Sequence, residues 1–200
     1  MSDIEKILSF ISAPLPVGAT EKLTEFCALL GKWNKVYNLT AIRDQRKIIS
    51  HHIADSLSIL SFINGNRSID IGSGGGLPGI PLAIVKPDHH FTLLDSNVKK
   101  TSFLTQAKID LQLTNVEVIH SRVEDFSGQF TNLLTRGFSS LQQMIALCEH
   151  LREESGQFLA MKGVVPEQEI LALPANFQVQ IETLTIPNLA ERRCLCIVTS

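Results

Sequence analysis

The sequence predicts an α/β protein in which a helical cap over residues 1–66 leads into a seven-stranded, mostly parallel sheet with an antiparallel edge over residues 67–200. Three observations carry this. Up to Arg67 the apolar residues recur only at helical spacing. From Arg67 onward, short β-rich runs alternate with helical patterns. A glycine-rich loop, Gly72 to Gly79, follows the first β-run and opens a helix. A chain of 200 residues has room for one domain with a short appendage. Its 44% hydrophobic and 19% charged residues, with mean hydropathy +0.14, supply a core and exclude a disordered chain.

Taken in order, Ile4, Ile7, Leu8 and Ile11 form a weak helical pattern. After Pro14 and Pro16, a helix starting at Ala19 or Thr20 carries Leu23, Phe26, Leu30, Trp33 and Tyr37 on one apolar face, so both aromatics belong to the core. Ile48, Ile49, Ile53, Leu57, Leu60 and Ile63 predict one further helix. Strands are expected at 67–71, 91–95, 116–120, 132–136, 157–161, 178–184 and 192–199. Helices are expected at 78–85, 97–111, 139–151 and 166–173. The last two strands, separated by a short turn containing Pro187, should pair antiparallel at the sheet edge.

Several function classes are excluded. The longest uncharged run, Ile71–Val85, is interrupted by Pro78 and Pro81 and is too short to span a bilayer. Asp3, Glu5 and Lys6 occupy the place of a secretory signal's apolar region, so a cytoplasmic protein without a membrane partner is expected. Cys27, Cys148, Cys194 and Cys196 lack C-x-x-C spacing, and no metal site is expected; the two residues of the Cys194/Cys196 pair share one strand face as ordinary packing. Net charge is −2, yet Lys32, Lys35, Arg43, Arg46 and Lys47 face a single acid, Asp44, before His52. That local excess makes a candidate nucleic-acid contact, beside the plainer possibility of a solvated helix face.

The loop Asp70-Ile71-Gly72-Ser73-Gly74-Gly75-Gly76-Leu77-Pro78-Gly79 is the chemical centre of the sequence. Its glycines let the backbone turn sharply and approach a ligand, and Pro78 suits a first helical turn that needs no N–H. Asp95 ends the next strand, where an acid binds ribose hydroxyls. Gly74, Gly76 and Gly79 also satisfy G-x-G-x-x-G, so an NAD-dependent oxidoreductase is one alternative. The register fits it poorly, because Gly72 follows the strand and Pro78 falls inside the fingerprint. Asp70 beside the loop would repel a pyrophosphate but suits the ammonium and sulfonium end of S-adenosylmethionine, the expected cofactor.

Lys32 to Thr40, His52-Ile53-Ala54-Asp55-Ser56, Asp70 to Pro81, Thr92 to Ser96, Ser121-Arg122-Val123-Glu124 and Met161-Lys162-Gly163 together closely resemble the RsmG (GidB) family across most of the chain. The resemblance implies a class I, Rossmann-like methyltransferase fold with an N-terminal helical cap. It implies methylation of N7 of a guanine, guanine 527, in the 530 loop of 16S ribosomal RNA. Gly72 and Leu77, Val123 and Glu124, and Arg136 then become cofactor contacts alongside Asp70, Gly74, Gly76 and Asp95. The chain departs from the family pattern at Gly75, where alanine or proline is frequent, at Thr131, where an acid precedes the fourth strand, and at Gly137, which replaces an alanine.

Guanine N7 has an exposed lone pair and no proton, so its methylation needs neither a general base nor an enzyme nucleophile. A C5-pyrimidine enzyme would need a cysteine, usually after proline; here Phe26, Leu147, Arg193 and Leu195 precede the cysteines. An amine-methylating motif is replaced by Thr135-Arg136-Gly137-Phe138. Arg136, at a strand end facing the ligand crevice, is the candidate catalytic positioning residue, or else neutralises a nearby acid. His52 contacts substrate or pairs with Asp55. Lys162 meets a phosphate or is solvated. The expected partner is 16S ribosomal RNA or a small-subunit particle, with the chain acting as a monomer; a non-catalytic RNA-binding module is the alternative of a different class.

Overall fold

The computed structural model describes residues 3–11, 14–138 and 140–200; Ser139, the expected start of the third sheet-associated helix, and the Ile7 side chain lie outside them. Helix α1 (Asp3–Leu8) precedes α2 (Ala19–Tyr37). Gly18 and Asn38 bracket α2 in the left-handed region, φ 80° and 50°, and the Asn38 N–H closes on the Asn34 carbonyl. Leu23, Phe26 and Leu30 are fully buried as the stripe predicts, but Tyr37 is 42% exposed. Its ring stacks outside Trp33, which is itself half-buried against Phe103.

The helix expected over 48–63 is broken into α3 (Gln45–Ile48), a π-helical turn (Ile49–Ala54), α4 (Asp55–Leu57) and a 3-10 turn (Leu60–Phe62). Asp44 caps α3, its Oδ1 accepting from Arg46 N at 2.9 Å. Past the π turn the Asp55 N–H closes a tighter, 3-10-type bond on the His52 carbonyl, and the His51 carbonyl accepts from Arg136 Nη2 at 2.9 Å.

The sheet contains β1 (Arg67–Ile71), β2 (His90–Asp95), β3 (Val116–His120), β4 (Phe130–Arg136), β5 (Arg152–Lys162), β6 (Gln178–Thr183) and β7 (Cys194–Thr199). Their spatial order is β3-β2-β1-β4-β5-β7-β6. Strands β1 to β5 run parallel; β7 lies antiparallel between β5 and β6. The antiparallel edge is therefore as expected, but residues 184–193 form a longer connection than a short turn. Helices α5 (Gly79–Val85), α6 (Val98–Asp110), α7 (Leu141–Cys148) and α8 (Glu167–Leu171) join the strands. Pro78 precedes α5, its peptide bond to Leu77 cis.

Alternating residues feed two cores. Leu134, Leu159 and Leu195 face α5, α6 and the cap, sharing one cluster with Leu23, Phe26 and Leu30. Leu133, Phe158 and Cys196 face α7 with Met144 and Ile145. The cap thus covers one sheet face rather than standing apart. Its exit is pinned below the sheet by buried amides. Asn132 Nδ2 donates to the Asn64 carbonyl at 2.7 Å, and Gln157 Nε2 to the Phe62 carbonyl at 2.7 Å.

Candidate active site

The carboxyl ends of β1 and β2 build the first half of the site. Gly72 N and Ser73 N donate to the Leu94 carbonyl at 2.9 and 3.0 Å, so the glycine loop folds over the end of β2. Asp70 is buried, and its Oδ2 accepts from Ser73 Oγ at 2.7 Å and Gly79 N at 2.9 Å. It holds the loop shut from beneath. Its Oδ1 is buried with no hydrogen-bond partner, and burial pushes the carboxyl up to about 6, against the pull of those two donors. Asp95 is tied into the same loop, accepting from Gly74 N and Asn97 N at 2.9 Å each, with Lys100 Nζ at 3.7 Å.

A cavity of about 260 Å³ opens at this point. Its apolar walls are Ile71, Val123, Phe138 and Leu147; Asp95 and Glu124 bring carboxylates, and Lys100 and Arg122 bring cations. A flat apolar heterocycle joined to a hydroxyl-bearing sugar matches that composition. Of the expected cofactor residues, Gly72, Asp95, Val123 and Glu124 line the cavity. Asp70, Gly74, Gly76, Leu77 and Arg136 do not; Leu77 packs in the core shared with the cap. Ser96, Lys100, Arg122, Phe138 and Leu147 were not legible as site residues, although Ser96 and Arg122 directly adjoin residues that were.

The glycines divide by role. Gly72 has φ +69°, and a Cβ there would meet nothing within 4 Å, so its bare backbone borders open space. Gly76 and Gly79 are packing glycines. A Cβ on Gly76 would lie 2.5 Å from Ile80 Cδ1, and one on Gly79 2.3 Å from Leu93 Cδ2. The departures also find reasons. Gly137 has φ +70°, which glycine adopts without strain. Thr131 falls inside β4 and donates to Glu153 Oε2 at 3.3 Å, so an acid at this position would face another. A Cβ on Gly75 would press on Leu30 Cδ1 at 3.3 Å.

The second half of the site joins the cap to the end of β4. Arg136 Nε lies 3.1 Å from Asp55 Oδ2, and its Nη2 donates to the His51 carbonyl at 2.9 Å and to His52 Nδ1 at 3.1 Å. Arg193 Nε lies 3.3 Å from Asp55 Oδ1. Burial pushes the Asp55 carboxyl up, outweighing the opposing pull of the two guanidiniums. His52 therefore meets Arg136 rather than pairing with Asp55, and its Nε2 lies 2.7 Å from Thr40 Oγ1. Burial, reinforced by the Arg136 charge, pushes His52 down to about 4, so the ring is neutral. Arg193 and Thr40 were not singled out in sequence; nothing but the fold brings them to Arg136.

Lys162 is not simply solvated: it is half-buried, with Nζ 3.0 Å from Glu169 Oε2, the same oxygen that accepts from Leu141 N at the start of α7. Lys32, Lys35, Arg43, Arg46 and Lys47 are all exposed along α2, the following loop and α3. Arg43 reaches Asn38 Oδ1 at 3.2 Å. Arg46 and Lys47 border a groove of about 550 Å³ together with His51 and Asn188.

A mostly parallel sheet whose order reverses between β1 and β4, a glycine loop leaving β1, an acid ending β2 and an antiparallel β7 define a class I methyltransferase. Solved structures share the architecture at low identity. A putative RNA methyltransferase from Pyrococcus horikoshii superposes with TM-score 0.55 at 12% identity, over 88% of this chain and 97% of that one. The precorrin-6y C5,15-methyltransferase of Geobacter metallireducens also gives 0.55, at 12% identity over 74% and 88%. TYW2 of P. horikoshii, solved in complex with MeSAdo, gives 0.57 at 12% identity over 74% and 61%.

Residues 19–196 match the family model for rRNA small subunit methyltransferase G, GidB. Relatives named ribosomal RNA small subunit methyltransferase G are 48% identical in Marinobacter nauticus, over 96% of this chain and 91% of that protein, and 50% identical in Pseudomonas fluorescens, over 89% and 85%. The chain belongs to the rRNA small subunit methyltransferase G family.

Proposed function

We propose that this protein transfers the methyl group of S-adenosylmethionine to N7 of a guanine in 16S ribosomal RNA, guanine 527 of the 530 loop. Family membership sets the reaction class. The observation that carries the cofactor assignment is the cavity in which the Asp95 and Glu124 carboxylates stand beside apolar walls and the bare Gly72 backbone. Asp95 would hold the ribose hydroxyls, Val123, Phe138 and Leu147 the adenine, and Gly72 the close approach of the chain to the donor. The buried, unpartnered Asp70 Oδ1 leaves a polar atom beneath the loop for the donor's ammonium to balance at a distance. When bound, the donor supplies an electrophilic methyl group on a sulfonium.

The residues of this chain then have little covalent work. N7 carries a free lone pair, so binding has to align the base and to tolerate the charge it gains. Asp55 balances the Arg136 guanidinium, and the neutral His52 adds no second cation beside it. The four cysteines are buried, and burial pushes the Cys27, Cys148 and Cys196 thiols up to about 12, which disfavours any thiolate nucleophile. The exposed basic run from Lys32 to Lys47 would take RNA phosphates. Small-subunit RNA or particles incubated with enzyme and donor, then digested and weighed as nucleosides, should yield N7-methylguanosine. Methyl on cytosine C5 or adenine N6 would refute the assignment. Calorimetry should show S-adenosylmethionine binding in preference to NAD.

A further inference from the structure

Arg136 belongs by sequence to the end of β4, yet among the described residues the hydrogen bonds and ion pair of its side chain all go to the cap: the His51 carbonyl, His52 Nδ1 and Asp55 Oδ2. A guanidinium can be aimed only when its donors are taken by fixed acceptors, because its own four-bond stem is loose. Here the acceptors are fixed by a further layer. His52 Nε2 lies 2.7 Å from Thr40 Oγ1. That same oxygen accepts from Ile42 N at 3.1 Å, while Thr40 N donates to Asn34 Oδ1 at 2.9 Å and Asn34 Nδ2 to the Ile42 carbonyl at 3.1 Å. Asn34 is buried in α2. On the other side, Arg193 holds the remaining oxygen of Asp55 at 3.3 Å.

We propose that Thr40 and Asp55 are positioning residues for Arg136, Thr40 acting through His52 and Asp55 directly, so that the loop carrying Arg43 sets the aim of the arginine at the end of β4. His52 Nδ1 lies 3.0 Å from the His51 carbonyl and 3.1 Å from Arg136 Nη2. In this assignment Nδ1 is the acceptor from Arg136, with the His51 carbonyl also accepting from that Nη2, so that the ring proton sits on Nε2 and is given to Thr40 Oγ1. A neutral His52, held so by burial, is the only form able to accept from a guanidinium. Thr40 thereby selects the ring orientation that Arg136 requires. The loop Asn38–Asp44 lies within the exposed basic run, so RNA seated on it presses on the residues that aim Arg136. This inference rests on the methyltransferase assignment for its kinetic consequence and on geometry alone for its structural one.

The test pairs Thr40→Val with Thr40→Ser and Asp55→Asn in the full chain. Valine keeps the shape but cannot accept from His52; serine keeps the hydroxyl. Thr40→Val should lower kcat on small-subunit RNA about 10-fold or more, as misplacement of a positioned group does, with donor affinity changed less, and Thr40→Ser should restore it. Independently of turnover, the Nε–Hε signal of Arg136 in nitrogen-15 spectra, assigned with Arg136→Lys, should be protected from solvent exchange in the wild type and lose that protection in Thr40→Val and Asp55→Asn. An unchanged kcat in Thr40→Val, or an Arg136 signal as protected as before, overturns the proposal. If Asp55→Asn does not fold, the Thr40 pair decides. A wild-type protein that methylates no small-subunit RNA would refute the methyltransferase assignment, and the Arg136 exchange would still decide the geometry.

Discussion

At the scale of single residues, the glycine loop separates groups that meet the ligand from groups that hold the fold. Gly72→Ala would place a methyl group in open space, at a strained left-handed φ costing about 1 kcal/mol. It should weaken donor binding far more than it lowers the melting temperature. Gly79→Ala would drive a Cβ into Leu93 and Asp70 and should cost about 1–3 kcal/mol of stability; calorimetry and thermal melts on the two variants should give opposite orders. Asp95→Ala removes a charge-assisted partner of the ribose and should cost about 1.5–3 kcal/mol of donor affinity. Asp95 also accepts from Gly74 N and Asn97 N, so Asp95→Asn, which keeps an oxygen for one of them, should lose less. Equal affinity in both variants and wild type would remove Asp95 from the site.

At the scale of elements, legibility depended on whether the forces shaping an element were local. β1 and β3 begin and end where the sequence places them, because β-rich residues there are bounded by breakers such as Gly72 and Asn115. β5 starts five residues before the expected 157 because Arg152, Glu153 and Glu154 carry no β-rich apolar pattern of their own; pairing of Arg152 with Phe130 on β4 draws them into the sheet. The segment 45–62 misled for a different reason. Its apolar spacing suits α, π and 3-10 turns alike, and the partner that takes the His51 carbonyl is 85 residues away. The basic run is an element-scale claim as well. Neutralising Arg43, Arg46 and Lys47 together should raise the RNA KM and leave donor affinity unchanged. Each RNA phosphate that the variant no longer grips should reduce the log–log salt slope by about 0.7; an unaltered slope and saturation would return the run to a solvated face.

At the scale of the whole molecule, buried ionisable groups make stability depend on acidity. Burial pushes His52 and His89 down from 6.5 to about 4, so between these values the unfolded chain binds two protons that the folded one refuses. Asp70 works oppositely. Raised from 3.8 to about 6, it holds a proton in the folded state that the unfolded chain has released, and its contribution is lost as pH rises through 6. Between pH 4 and 6 these three groups leave the unfolded state one proton ahead, so stability should rise with pH by about 1.4 kcal/mol per unit from them. Urea midpoints across that range should show His89→Gln flattening the slope and Asp70→Asn steepening it. A slope left unchanged by either substitution would mean that His89 or Asp70 is solvated in the folded state.

The placement of β7 has a consequence for how the chain is made. It follows β6 in sequence but stands between β6 and β5, and β6 pairs with nothing else in the sheet. While a ribosome is still polymerising residues 184–193, β5 already presents an open flank and β6 has no neighbour to join, so the nascent chain carries two unsatisfied ladders at once. Completion of the sheet must await the last strand, and chains truncated before Cys194 should be prone to strand-mediated clumping even though the glycine loop, the Asp95 strand and the cap are already present.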